Sequence, residues 1–245
     1  MVRKDFMRTL RIWSQTLLPP VITMSLYFAI FGTFIGSQIA DIHGFSYIQF
    51  IVPGLVMMSV ITSAYMNTAF SFFMNKFMRT IDMLLVSPMP TWTVIAGFVS
   101  GGIIRAALVG TLVVVVSLLF TQLALYNILI ILGAGVLTAI LFAFAGLVNG
   151  VFAKSFDAIN IIPTFVLTPL TYLGGVFYSI DQLPPFFRML SLANPILYMV
   201  NAFRYGFLGV SDVPMWLAFS VMGGLALVFF VLTLVLFIRG TGVKS

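Results

Sequence analysis

Six apolar stretches dominate the chain, at residues 17–39, 50–73, 106–125, 128–152, 159–177 and 214–238. A helix rises ~1.5 Å per residue and the bilayer core is ~30 Å thick, so about 20 apolar residues cross it once. Each stretch is near or above that length. Within them apolar and polar positions do not alternate, and 112–119 and 225–236 are almost unbroken. A membrane-barrel strand alternates over ~10 residues. Continuous runs predict helices, because lipid offers no water to an unbonded backbone amide. The pattern predicts an all-α integral membrane protein with six transmembrane helices in a single domain, 1–245.

The segments between the stretches are patterned too. Over residues 3–17, Phe6, Leu10, Trp13 and Leu17 share one face of a helix, and Lys4, Arg8, Arg11 and Gln15 lie opposite. This predicts an interfacial amphipathic helix over 1–16, lying at the headgroups. The apolar run that follows is longer than a cleavable signal needs, so it reads as a retained span. In 75–91, Ile81, Leu84, Leu85 and Pro88 form a ridge at i, i+3, i+4 and i+7, with Lys76, Arg79 and Asp82 alongside. Pro88 and Pro90 end it. Such a helix docks in a groove on a soluble partner, or else rests on the headgroups. In 178–213 the runs 184–192 and 196–208 are too short to cross, and fit outer re-entrant or interfacial helices. Gly174 and Gly175 precede them and permit a bend.

Charge sets the expected orientation. Arg3, Lys4, Arg8, Arg11, Lys76, Arg79, Arg105, Lys154, Arg239 and Lys244 fall on one side of the predicted spans, against Arg188 and Arg204 on the other. The positive-inside rule then puts both termini in the cytosol. Arg105 decides the third span. A cation in mid-bilayer costs ~2.5–3.5 kcal/mol on insertion scales, so the span is expected to start at 106, after a helical lead-in over 94–104. The cytosolic segment would then run 74–105. The alternative keeps Arg105 inside, buried and partnered.

Composition narrows the function. Only 7% of residues are charged, against ~25% in soluble domains, which excludes a water-soluble fold. The net charge of +6 marks a membrane boundary and not a nucleic-acid surface. The chain has no cysteine and no glutamate, and its single histidine, His43, lies beside Asp41 in a loop. All six aspartates fall outside the predicted spans. Proton- or sodium-driven carriers draw on ionisable groups or broken helices at mid-membrane, and an intramembrane hydrolase needs acid–base residues. No P-loop sequence is present. Catalytic, cofactor and metal residues are therefore not expected here, and a transporter without its own energy site can be driven by a separate ATPase. Ser59, Thr62, Ser63, Asn67 and Ser71 share one half of the second span, and Thr164, Thr168, Thr171 and Tyr172 mark the fifth. They read either as interhelical hydrogen bonding or as the polar side of a translocation path. Three GxxxG patterns, at Gly32, Gly97 and Gly146, suit close packing within the chain.

The run NGVFAKSFDAINIIPTFVLTPLTYLGGVFYSIDQLPPFFRMLSLANPILYMVNAFRYGFLG, 149–209, resembles the signature region of ABC transporter type-2 permeases, which serve as exporters. RTIDMLLVSPMP, 79–90, is similar to that family's coupling segment. The likeness extends over essentially the whole chain. It implies two permease copies assembled with two separate ATP-binding subunits, ATP and Mg being held by those partners. It implies ATPase coupling through Arg79, Asp82, Leu84, Leu85 and Pro88. A translocation path would run along Ser59, Thr62, Ser63, Asn67, Thr168 and Tyr172, closed outside by Gly174, Gly175 and Phe177. Asp82 stands where members often carry glutamate, so the charge is kept with a shorter reach. The expected setting is the bacterial inner membrane, surrounded by lipid, and the expected cargo an amphipathic drug, lipid or glycan moved outward. The competing reading is a channel or scaffold that works without an ATPase.

Overall fold

A computed structural model describes residues 7, 11–81, 90–240 and 242. Most of the N-terminal amphipathic segment and residues 82–89 of the coupling segment lie outside the described residues. Among the described residues the fold is helical, and six helices are long and apolar enough to cross a membrane. This bears out the expected class.

After a helical turn at Trp13–Thr16, α1 (Leu18–Tyr27) continues through a π-helical stretch, Phe28–Ile35. α2 spans Tyr47–Phe77, α3 Thr91–Ser117 and α4 Ile128–Phe152. The fifth crossing is composite: α5 (Phe156–Ile162), a π-helical stretch Pro163–Leu167, and α6 (Thr168–Leu173). α7 (Pro185–Ala193) and α8 (Pro195–Leu208) follow, and α9 spans Met215–Arg239. Local chemistry sets the boundaries. The Asn127 Oδ1 accepts from the N–H groups of Leu129 and Ile130 and starts α4, Ser155 Oγ accepts from Ala158 and starts α5, and Asn194 Oδ1 accepts from Ile196 and starts α8.

α2 is the hub. It packs against α4, α3 and α8, and its Phe50, Ile51, Leu55, Met57 and Ile61 are fully buried. The α2–α4 approach depends on glycine. A Cβ on Gly146 would collide with the Tyr65 carbonyl, and one on Gly150 would sit 2.8 Å from that of Ala69. That GxxxG pair therefore serves packing inside one chain. A second apolar cluster, with Phe72, Ile81, Val94, Phe98, Leu147 and Phe237, closes the end where α2 stops and α3 begins. At this basic end the Lys76 Nζ donates to the Val151 carbonyl at 2.7 Å, and Phe73 and Phe77 meet Phe156.

The third crossing is one continuous helix, Thr91–Ser117, in which 94–104, expected as a helical lead-in, runs without a break into 106–117. Only 78–90 separates the second crossing from the third. Arg105 is partnered within the fold. Its Nη2 donates to the Thr16 carbonyl at 3.3 Å, and its Nη1 lies 3.5 Å from Asn67 Oδ1. Meanwhile Val94, Ile95, Phe98 and Val99 bury themselves in the second cluster. The fifth crossing is shifted, ending at Leu173 and not at 177.

Candidate translocation site

The described polar residues of the crossings fall into two groups. On α2, Ser59, Ser63 and Asn67 are buried in the packed hub, whereas Thr62 is exposed. Ser59 Oγ donates back to the Leu55 carbonyl at 3.0 Å and Thr62 Oγ1 to Met58 at 2.9 Å, so both hydroxyls are bonded within their own helix. On the fifth crossing Thr168 and Tyr172 are exposed, and Thr168 Oγ1 donates to the Pro163 carbonyl at 2.9 Å. The six path candidates thus do not form one continuous face of this protomer.

What the structure does bring together is aromatic. Tyr172 stacks on Phe177 with ring centroids 5.7 Å apart and planes at 17°, and its hydroxyl meets that of Tyr27 at 3.1 Å. Phe31 lies 5.1 Å from Phe177 and 5.7 Å from Tyr27. The first crossing, the fifth crossing and the turn that follows it therefore share a four-ring cluster at the far end from Lys76. Phe177 and Tyr172 were sequence candidates; Tyr27 and Phe31 were not. Their spacing, one helical turn apart on a span, is a signal shared by ordinary core residues.

The turn beside that cluster is held from several sides. Gly175 adopts φ +70°, a left-handed conformation that glycine takes without strain. Its carbonyl accepts from Arg204 Nη2 at 2.6 Å. Tyr47 Oη donates to the Phe177 carbonyl at 3.2 Å, and Asn194 Nδ2 to that of Leu170 at 2.6 Å. Arg204 is the buried centre of this arrangement. It is 1% exposed, its Nε donates to the Phe50 carbonyl at 3.3 Å, and its guanidinium carbon stands 3.8 Å over the Phe50 ring. Burial pulls its pKa down to about 10, against the opposing pull of Asp212, so it remains a cation at neutral pH. The sequence counts Arg204 among the outer-side cations, and its position inside the apolar run 196–208 is the one available hint of burial.

Asp212 completes the far end. It accepts from Ser179 Oγ at 2.7 Å and from the Ile180 N–H at 3.2 Å, and His43 Nε2 lies 3.5 Å away. Asp181 pairs with Arg188 at 3.2 Å. The donor atoms of His43, Asp181 and Asp212 lie within 4.8 Å of one another, but both carboxylates already face protein donors. His43 therefore meets Asp212 across the fold, a contact that its neighbour in sequence, Asp41, did not suggest.

At the basic end Arg79 is exposed in a turn at φ +56°. Asp82, Leu84, Leu85 and Pro88 lie outside the described residues. Gly174, Gly175 and Phe177 sit together at the far end, next to α8.

Residues 1–208 match the ABC-2 type transporter family. The chain is 57% identical to the inner membrane transport permease YadH of Escherichia coli K12 over 242 residues, covering 99% of this chain and 94% of that protein. It is 26% identical to nodulation protein J of Rhizobium leguminosarum bv. viciae over 179 residues, covering 73% of this chain and 69% of that one. Nodulation protein J of Rhizobium meliloti is 24% identical over 208 residues, 84% of this chain and 79% of that protein.

Proposed function

The chain belongs to the ABC-2 type transporter family, and from that premise we propose that it is the membrane subunit of an ATP-driven exporter. Members of the family are transport permeases that normally work with an ATP-binding subunit. Here two copies would assemble with two such subunits, which hold the ATP and Mg, in a bacterial inner membrane. Both termini face the cytosol in this reading, because Arg11, Lys76, Arg79, Lys154 and Arg239 all lie at the basic end. The 79–90 segment, with Arg79, Asp82, Leu84, Leu85 and Pro88, and the N-terminal helix would meet the ATP-binding subunits there.

The cargo is an amphipathic drug, lipid or glycan moved outward. The observation that carries the reading is the near full-length identity with a transport permease. The structure adds a physical reason. The first and fifth crossings bury little of themselves within the chain, and each contributes rings to the Tyr27, Phe31, Tyr172 and Phe177 cluster. A second copy covering those crossings would enclose a path with aromatic and hydroxyl walls, including Thr62 and Thr168. Gly174, Gly175 and Phe177 would be its outer gate, braced by Arg204.

Co-expression with candidate ABC ATP-binding subunits tests this. A stable complex that hydrolyses ATP, and loses that coupling in Leu84→Asp, is expected. Purification of the permease alone, or transport that continues after ATP depletion, would favour the ATPase-independent channel.

A further inference from the structure

α3 and α4 touch near mid-depth and part toward the end opposite Lys76. A Cβ on Gly102 of α3 would come within 3.1 Å of the Ala143 Cβ on α4. About two turns further along α3, among the described residues a Cβ on Gly110 would meet only Val60 of α2, and on α4 one on Gly135 would meet only Phe203 of α8. Each helix is packed there against a different neighbour, and a wedge-shaped cleft of 380 Å³ opens between them. Its inner wall is buried, with Val60 on α2 and Phe203 and Phe207 on α8. Val115, Leu132 and Val136 border it and are exposed, so its mouth faces sideways into the bilayer. Of the side chains lining it, only that of Thr111 is polar. None of them belongs to the first or fifth crossing or to the path candidates.

The dimensions select the occupant. The cleft follows α3 from Ile103 to Val115, about 18 Å of helix rise. Spread along that length, 380 Å³ leaves a mean cross-section of about 21 Å². A helix with its side chains is about 10–12 Å across and needs roughly 80 Å² or more. Hydrocarbon chains in contact at about 4.5 Å need about 20 Å². Apolar walls do not hold water, and an empty space would forfeit dispersion contacts along each of them. One extended acyl chain matches the length, the section and the chemistry. Its polar end is fixed as well. Ile103 and Ala139 lie near the middle of their helices, whereas Leu125 and Ile128 lie at the far end. There the N–H groups of Tyr126 and Asn127 donate to the Phe207 and Gly206 carbonyls at 3.2 and 2.8 Å, which ties the connection to α8. The Tyr126 and Tyr205 rings meet edge-on at 5.4 Å, and Tyr126 is exposed, as suits a tyrosine at headgroup level.

We propose that this cleft is a lipid site, taking one acyl chain of a phospholipid from the leaflet at the end opposite Lys76. The headgroup sits beside Tyr126, and the chain terminus reaches toward the α3–α4 contact at Gly102 and Ala143. The bound chain supplies the packing that α3 and α4 do not give each other in that half of the bilayer.

The test uses the full chain in nanodiscs doped with a phospholipid that carries a photoreactive diazirine near the end of one acyl chain. Cross-links mapped by peptide mass spectrometry should concentrate at Ile103, Ala107 and Ala139, several-fold above Leu227 and Val228, which are exposed on α9. Moving the diazirine next to the glycerol should shift the labelling to Leu125 and Ile128. Gly135→Leu should remove most of the labelling in the cleft. Its Cβ would stand 3.6 Å from Phe203, an ordinary contact, so the added side chain enters the space without displacing backbone. Gly224→Leu adds the same bulk to α9 where nothing lies within 4 Å, and should leave the labelling unchanged. Ala107→Phe fills the cleft from α3 if the Gly135 variant yields no protein. Labelling in the cleft no stronger than on α9, or indifferent to the filling variants, would overturn the site and leave only ordinary boundary lipid. A dimer cross-linked through Val136→Cys in this cysteine-free chain, together with an unlabelled cleft, would assign the space to a second copy instead.

Discussion

α2 and the fifth crossing are both apolar enough to cross a membrane, yet 78% of the α2 window is buried inside the chain and only 11% of the other. The difference does not come from hydrophobicity. α2 faces glycines on α4 that let the backbones touch, and it is walled by α3 and α8. The fifth crossing is broken by Pro163 and Pro169, winds as a π-helix between them, and is held mainly at its ends by Asn149, Asn194 and Arg204. One helix is scaffold; the other is a wall secured at top and bottom. A bundle built this way keeps a rigid centre while leaving a face for a second copy or for cargo.

The contrast can be broken most severely at Arg204. Arg204→Ala removes the donors to Gly175 and Phe50 and leaves Asp212 with less compensation, and about 3 kcal/mol of stability should go with it. Denaturant unfolding in detergent would measure this, and a loss below about 0.5 kcal/mol would mean that the far end of the fifth crossing is not held from α8. Next is Gly146→Val, which forces α2 away from α4 at the Tyr65 carbonyl. Overpacking of this kind costs about 1–3 kcal/mol, and a shift in unfolding midpoint should report it; tolerance would show that the hub has slack. Asn149→Leu should cost about 1–2 kcal/mol by stranding the Ile159 carbonyl, with faster backbone exchange expected near 159–163. Tyr172→Phe removes one interhelical hydroxyl contact and should cost about 0.6 kcal/mol.

The smallest stability effect sharpens the comparison most. Phe165 is 74% exposed on the fifth crossing. Phe165→Ala should leave unfolding of the monomer unchanged while weakening self-association in nanodiscs, read by single-molecule bleaching. An equal effect on both would place that face inside the protomer.

Much of the architecture was legible in the sequence. Six crossings follow from run length and from the demand that every backbone amide in lipid be bonded. The contacts of Arg105 were not, because its partners, Asn67 and the Thr16 carbonyl, come from other elements. Arg204 misleads for the same reason: its acceptors, Phe50 and Gly175, are distant in sequence and are backbone atoms, which leave no trace in composition. The path candidates on α2 divide into buried and exposed according to which side α4 covers, and that depends on the distant glycines Gly146 and Gly150. The aromatic cluster needed the fold to join Tyr27 and Phe31 to Tyr172 and Phe177.

Every role assigned to the basic end requires that end to face the compartment that holds ATP. Reporter enzymes active only in the periplasm, fused after Ser245 and separately inserted beside His43, address this directly. The account predicts a silent reporter at Ser245 and an active one at His43, from intact full-length protein in both cases. An active reporter at Ser245 with a silent one at His43 would contradict it.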